Sequence, residues 1–68
     1  MLVLVNGEER SLEPGTTVAD LVASLGGPAD GRGVAVAIDT EVVPRSFWRA
    51  TELTAGVRVE VLIAVQGG

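Results

Sequence analysis

One segment of this 68-residue chain has the spacing of an amphipathic helix, and every other patterned segment reads as strand. Val18, Leu21, Val22 and Leu25 fall at i, i+3, i+4 and i+7, a single apolar stripe on a short helix. Thr17 stands before the stripe as an N-cap, with Asp20 three residues on in the acidic position of a capping box. One short helix has one stripe to bury, so it packs on one face of whatever sheet the strands build. Gly26-Gly27-Pro28 stops it, and the Gly/Pro/Asp-rich stretch from there to Gly33 is a loop.

The strands come in pairs around that helix. Leu2 to Val5 is a β-branched and leucine run that stops at Asn6-Gly7, the strongest short hairpin signal, because both central residues of a type I′ turn need positive φ. A second strand runs from about Glu8 to Leu12 and ends at the Glu13-Pro14-Gly15 turn. Beyond the loop, Val34 to Ile38 is the third strand. Asp39-Thr40 turns it into a fourth around Glu41 to Val43, and Pro44 marks the end or edge of that strand. Arg45 to Leu53 is irregular or one helical turn, and Gly56 leads into the last strand, Val57 to Val65.

Strands one and five are nearly continuous apolar runs, as expected of central strands. Along the fifth, Val57, Val59, Val61, Ile63 and Val65 point one way, and Arg58, Glu60, Leu62, Ala64 and Gln66 the other. The β-branched set faces the helix, and the charged set marks the opposite face as wet. A ββαβββ order with one helix on a mixed five-stranded sheet is the β-grasp arrangement of the α+β class. Residues 1–65 then form the domain and 66–68 a flexible tail.

Side-chain chemistry is sparse. The chain has no cysteine and no histidine, so disulfides, a thiolate nucleophile, a Ser/His/Asp triad and the usual zinc sites are all excluded. Its carboxylates read as surface groups, and no activity of its own is expected. Nine acids against five bases give a net charge of −4, with no basic stripe for nucleic acid. The longest apolar run, Val61 to Val65, is far below the roughly 20 residues that span a bilayer. Met1 to Val5 lacks the basic region and cleavage site of a signal peptide, which makes the cytoplasm the expected location.

What remains is the tail. Gly67-Gly68 follows the last strand with only Gln66 between, a thread without Cβ atoms that fits a narrow channel in another protein. The group it delivers is the α-carboxylate of Gly68. Joined to AMP, that carboxylate gains a good leaving group, and attack by sulfide or persulfide would give a thiocarboxylate.

Over essentially its whole length the chain resembles the ThiS family of ubiquitin-like sulfur carriers of thiamine biosynthesis. The resemblance lies in Val3-Leu4-Val5-Asn6-Gly7-Glu8, in Gly15-Thr16-Thr17-Val18, and in Val34-Ala35-Val36-Ala37-Ile38. It continues in Val42-Val43-Pro44-Arg45-Ser46 with Trp48, in Val59-Glu60-Val61, and in Ala64-Val65-Gln66-Gly67-Gly68. The Val-Val-Pro-Arg segment with Trp48 is the discriminating part, because Gly-Gly is common to all relatives. Two departures, Val57 after the glycine of the last turn and Asp39-Thr40 where Asn-Gly is frequent, touch turns and not chemistry.

The resemblance implies a cycle without a bound cofactor. A ThiF-like adenylyltransferase uses ATP and a sulfur donor to convert Gly68 to the thiocarboxylate, with Gly67 and Gln66 threading its site. A ThiG-like thiazole synthase then accepts the sulfur. Alternatives are a carrier for molybdopterin or cysteine synthesis, a ubiquitin-like protein modifier, and an inert interaction module. For docking, the wet face of the last strand offers Leu62 and Ala64, and the same alternation adds Leu2, Leu4, Ala35 and Ala37. Trp48 and Phe47 read as a satellite cluster over the sheet end, and Arg45 as a solvated or carbonyl-binding arginine.

Overall fold

The computed structural model describes residues 1–64. Strands β1 (Leu2–Val5) and β2 (Glu8–Ser11) are joined by Asn6 and Gly7 at φ of 50° and 82°, the positive pair that a type I′ turn requires. Helix α1 (Val18–Ser24) opens with a complete capping box. The Asp20 amide donates to the Thr17 hydroxyl at 3.1 Å, and the Thr17 amide donates to the Asp20 carboxylate at 3.0 Å. The Val18 amide, another donor left free by the first turn, reaches the Thr51 carbonyl at 2.9 Å. That bond, with Leu53 N–H to the Thr16 carbonyl at 2.8 Å, clips the helix start to the segment leading into the last strand.

Strands β3 (Val34–Ile38), β4 (Glu41–Val42) and β5 (Arg58–Ile63) complete one five-stranded sheet in the order β2-β1-β5-β3-β4. β5 runs parallel to β1 and antiparallel to β3, so the sheet is mixed. With α1 as the one α-helix among the described residues, this is the β-grasp fold that the pattern of periods predicts. Asp39 and Thr40, between β3 and β4, take φ of 47° and 72°. The departure from Asn-Gly therefore keeps the turn. It puts a β-branched residue in the left-handed region, at roughly 1–2 kcal/mol.

Burial follows the alternation of the sequence. Val3, Val5, Val36, Val59 and Val61 are buried against Val18, Leu21 and Val22 of the helix stripe. On the opposite face no helix lies over the sheet among the described residues, and Leu2, Ala35, Arg58, Glu60 and Leu62 are exposed. Three expectations are corrected. β5 ends at Ile63 within the described residues, and Ile63 is 38% exposed, because it occupies the last rung of the sheet beside Val34. Trp48 belongs to the main core, not to a satellite. A 3-10 helix (Arg45–Ala50) lays it against α1 at 5% exposure, with its indole N–H donating to the Val43 carbonyl at 2.9 Å. Phe47, its neighbour, faces solvent.

Core position decides the cost of truncation. Leu21→Ala removes a fully buried side chain and is expected to destabilise by about 2–5 kcal/mol. Ile63→Ala, at the margin, should cost about 1 kcal/mol. Urea unfolding of the two variants checks the order, and equal losses would contradict this account of the sheet end.

Candidate functional site

The site is built around the far end of β5, the strand that leads towards the tail. Val65, Gln66, Gly67 and Gly68, including the tail-threading and modified residues expected from the sequence and the 65/66 boundary, lie outside the described residues. What is described is the end of β5 that precedes them in the chain.

β1 is shorter than β5 and turns away at Asn6, after bonding its amide to the Val59 carbonyl at 2.9 Å. The Asn6 side chain then takes over the ladder. Its carboxamide oxygen accepts from the Val61 amide at 2.8 Å, and its Nδ2 donates to the Val61 carbonyl at 3.1 Å. One carboxamide thus pairs with Val61 as a strand residue would. On the other edge of β5, the Asp39 carboxylate accepts from the Arg58 amide at 3.0 Å, and the Asp39 amide donates to the Arg58 carbonyl at 2.8 Å. Sequence reasoning assigned both residues to turns alone. The hint was Asn rather than Asp at position 6, since only the amide offers both a donor and an acceptor.

Past Asn6 no strand covers the β1-side edge of β5 among the described residues, and on the other side Leu62 is paired with small Ala35. That leaves Leu62 71% exposed. Ala64 is exposed beside it, its amide bonded to the Gly33 carbonyl at 2.7 Å. Ala37 sits opposite Glu60 on the same face, with exposed Val42 across from it on β4. The structure therefore brings Leu62, Ala64 and Ala35 together at the end of β5, with Ala37 two residues back beside Glu60. Leu2 and Leu4 share the face but not the place. Leu4 is level with Arg58, so Leu62 lies roughly 13 Å further along the strand direction, with Arg58 and Glu60 in between.

Arg45, at the start of the 3-10 helix, lines a groove with Gly33, Ala35, Leu62 and Ala64. It also borders a second groove towards α1 with Ser46 and Arg49. Gly31 lies beneath it, buried at φ +71°, where a Cβ would come within 2.7 Å of Arg45 Cδ and 2.8 Å of the Trp48 ring. Only a glycine fits there. No group of His, Cys, Asp and Glu able to hold a metal occurs among the described residues, nor any helix long and apolar enough to cross a membrane.

The model of the ThiS family matches residues 3–68, through the final glycine. The chain belongs to the ThiS family. That family is one of non-catalytic sulfur carriers in thiamine biosynthesis. This chain is similar to the crystal structure of a thiamine biosynthesis protein, ThiS, from Geobacter metallireducens, with 30% identity, full coverage of both chains and a TM-score of 0.78. The solution structure of a thiamine biosynthesis protein from the same organism gives 28% identity and a TM-score of 0.79, over all of this chain and 88% of that one. Among curated proteins, a thiazole synthase of Paramagnetospirillum magneticum is 35% identical over 68 residues. The match covers all of this chain and 20% of that protein, so the chain spans about a fifth of the length of the relative it matches.

The Asn6 clamp is open to test. Asn6→Gly keeps a turn that tolerates positive φ but deletes both bonds to Val61, and is expected to cost about 1–3 kcal/mol. Native-state hydrogen exchange should show the Val61 amide losing protection first. An unchanged Val61 amide would mean the carboxamide adds nothing to the ladder.

Proposed function

We propose that this member of the ThiS family carries sulfur on the α-carboxylate of Gly68. A ThiF-like adenylyltransferase joins the carboxylate to the α-phosphate of ATP and expels pyrophosphate. A sulfur nucleophile then attacks the carbonyl carbon and AMP leaves, so that the chain ends in a thiocarboxylate. The sulfur anion is the nucleophile that a ThiG-like thiazole synthase takes up for ring formation. The cycle needs no cofactor on the carrier and belongs in the cytoplasm, where ATP is supplied. Gly67 and Gln66 thread the tail, and Leu62, Ala64, Ala35 and Ala37 form the surface on which both enzymes dock, with Leu2 and Leu4 as an outlying second contact.

The observation that carries this reading is the family match running through Gly68 on a chain that offers no other chemistry. The likeness to a protein named thiazole synthase supports the choice of acceptor. A carrier-like segment within a synthase would face its acceptor at high effective concentration. A carrier serving another pathway or a protein modifier would share the fold, but the family and the relatives matched here point to thiamine.

Intact mass after incubation with the adenylyltransferase, ATP and sulfide tests the chemistry. Exchange of one oxygen for sulfur at the C-terminus is expected, whereas adducts on other proteins would indicate a modifier, and an unchanged mass an inert module. Appending one residue after Gly68 should abolish loading and leave the fold intact, since small displacements of a reacting atom are costly. Loading of the extended chain without trimming would overturn the carboxylate assignment.

Leu62→Asp probes the docking surface. Burying an unpaired charge on association should weaken binding to both enzymes by about 2 kcal/mol or more. The melting temperature should hardly move, because the side chain is 71% exposed. Titration against each enzyme with a parallel melt decides the matter, and unchanged affinity would place docking elsewhere.

A further inference from the structure

We propose that Arg45 is an electrostatic anchor for the adenylating partner, pairing with a carboxylate side chain at the mouth of that enzyme's tail channel. The proposal rests on the carrier reading and adds a residue that the apolar docking surface does not contain. Three observations converge on it.

The first is place. Arg45 comes from the 3-10 helix, far in sequence from β5, yet it lines the groove beside Leu62, Ile63 and Ala64 where the tail begins. The second is support. The arginine stem lies against the backbone of Gly31, so close that a Cβ there would fall 2.7 Å from Cδ and 3.2 Å from Cγ. A long side chain held in this way has less rotamer entropy to lose when its head group is captured. The third is charge. The one ion pair among the described residues joins Arg32 to Asp30 at 3.5 Å, so the acid of the neighbouring loop is engaged with another arginine. Arg45 makes no ion pair there. On a chain of net charge −4, a guanidinium held at the root of the tail is a local inversion of sign.

A guanidinium presents a planar fork of donors, and the side chain that matches it is a carboxylate, which accepts two parallel bonds. An acidic residue at the channel mouth would meet, of the chain's arginines, the one that lines the groove at the end of β5. The apolar surface around Leu62 then supplies contact area, and Arg45 supplies orientation. Charges at the rim of an interface act chiefly on the rate of association and its salt dependence.

The test measures association of the carrier with its purified ThiF-like adenylyltransferase at low and high salt. Arg45→Met keeps the stem over Gly31 and removes the charge. Arg45→Lys keeps the charge and removes the fork, and Arg10→Met removes the same charge from the edge strand β2. Arg45→Met should slow association roughly tenfold at low salt and flatten its salt dependence, with Arg45→Lys restoring part of the rate. Arg10→Met should behave nearly as the parent. Equal rates for parent and Arg45→Met would overturn the proposal, as would equal slowing by Arg10→Met, which would reduce the effect to net charge. Normal association with slow adenylation would shift the role of Arg45 to the phosphate of the acyl adenylate and sink the docking assignment. A parent protein that fails to bind the enzyme would instead remove the carrier reading itself.

Discussion

Two side chains from two turns hold the central strand by opposite edges, and the rest of the sheet is arranged around that grip. Asp39 takes the Arg58 amide as β5 begins, and Asn6 takes both polar groups of Val61 near its end. Each residue sits at positive φ, where the chain reverses and the side chain is free to reach sideways. The backbone ladder to β1 covers only Leu4 and Val5, so without Asn6 the parallel pairing would end two residues sooner. A typical hydrogen bond adds about 1 kcal/mol net, and a small domain has only some 5–15 kcal/mol in total. A grip of this kind is a sizeable share. It also joins positions 55 residues apart, which makes it one of the slowest contacts for a folding chain to find.

The grip has a further effect on surface chemistry. Because Asn6 ends β1 early, the β1-side edge of β5 is bare beside Leu62, while the helix face of the same strand stays sealed by Val59 and Val61. One strand thus fills the core with alternate residues and presents the others to solvent. Leu62 remains apolar in the open, where it makes no part of the core. The position of Trp48 completes the arrangement. Drawing the 3-10 helix down onto α1 brings Arg45 over Gly31 and up to the end of β5.

Much of this was legible in the residues. Periods of two and 3.6 separate strands from helix, the capping box marks the helix start, and Asn-Gly marks the first hairpin. The alternation in β5 predicts which face is wet, and Leu62, Ala35 and Ala37 lie where it puts them. What was not legible depends on length and register. Leu2 and Leu4 have the right parity for the tail-end patch, but the parallel register to β5 leaves them beside Arg58. Ile63 also has the right parity for the core, and it is half open because the sheet ends there. Trp48 was misjudged because an irregular segment carries no period from which to read a facing direction. The clamps of Asn6 and Asp39 were hidden for a different reason, since a turn signal explains such residues completely until their side chains are seen.

The parallel and antiparallel ladders on the two edges of β5 share one mechanical property. A pull applied at Ala64 along the axis of this strand loads both ladders in shear, with every rung strained together. Peeling, in which rungs open one after another, would need a force across the strand. Resistance to such a pull is a matter of unfolding rate more than of equilibrium stability. On the proposed cycle, an enzyme that drew the glycines into a channel and held them under tension through a reaction would leave this strand seated in its sheet.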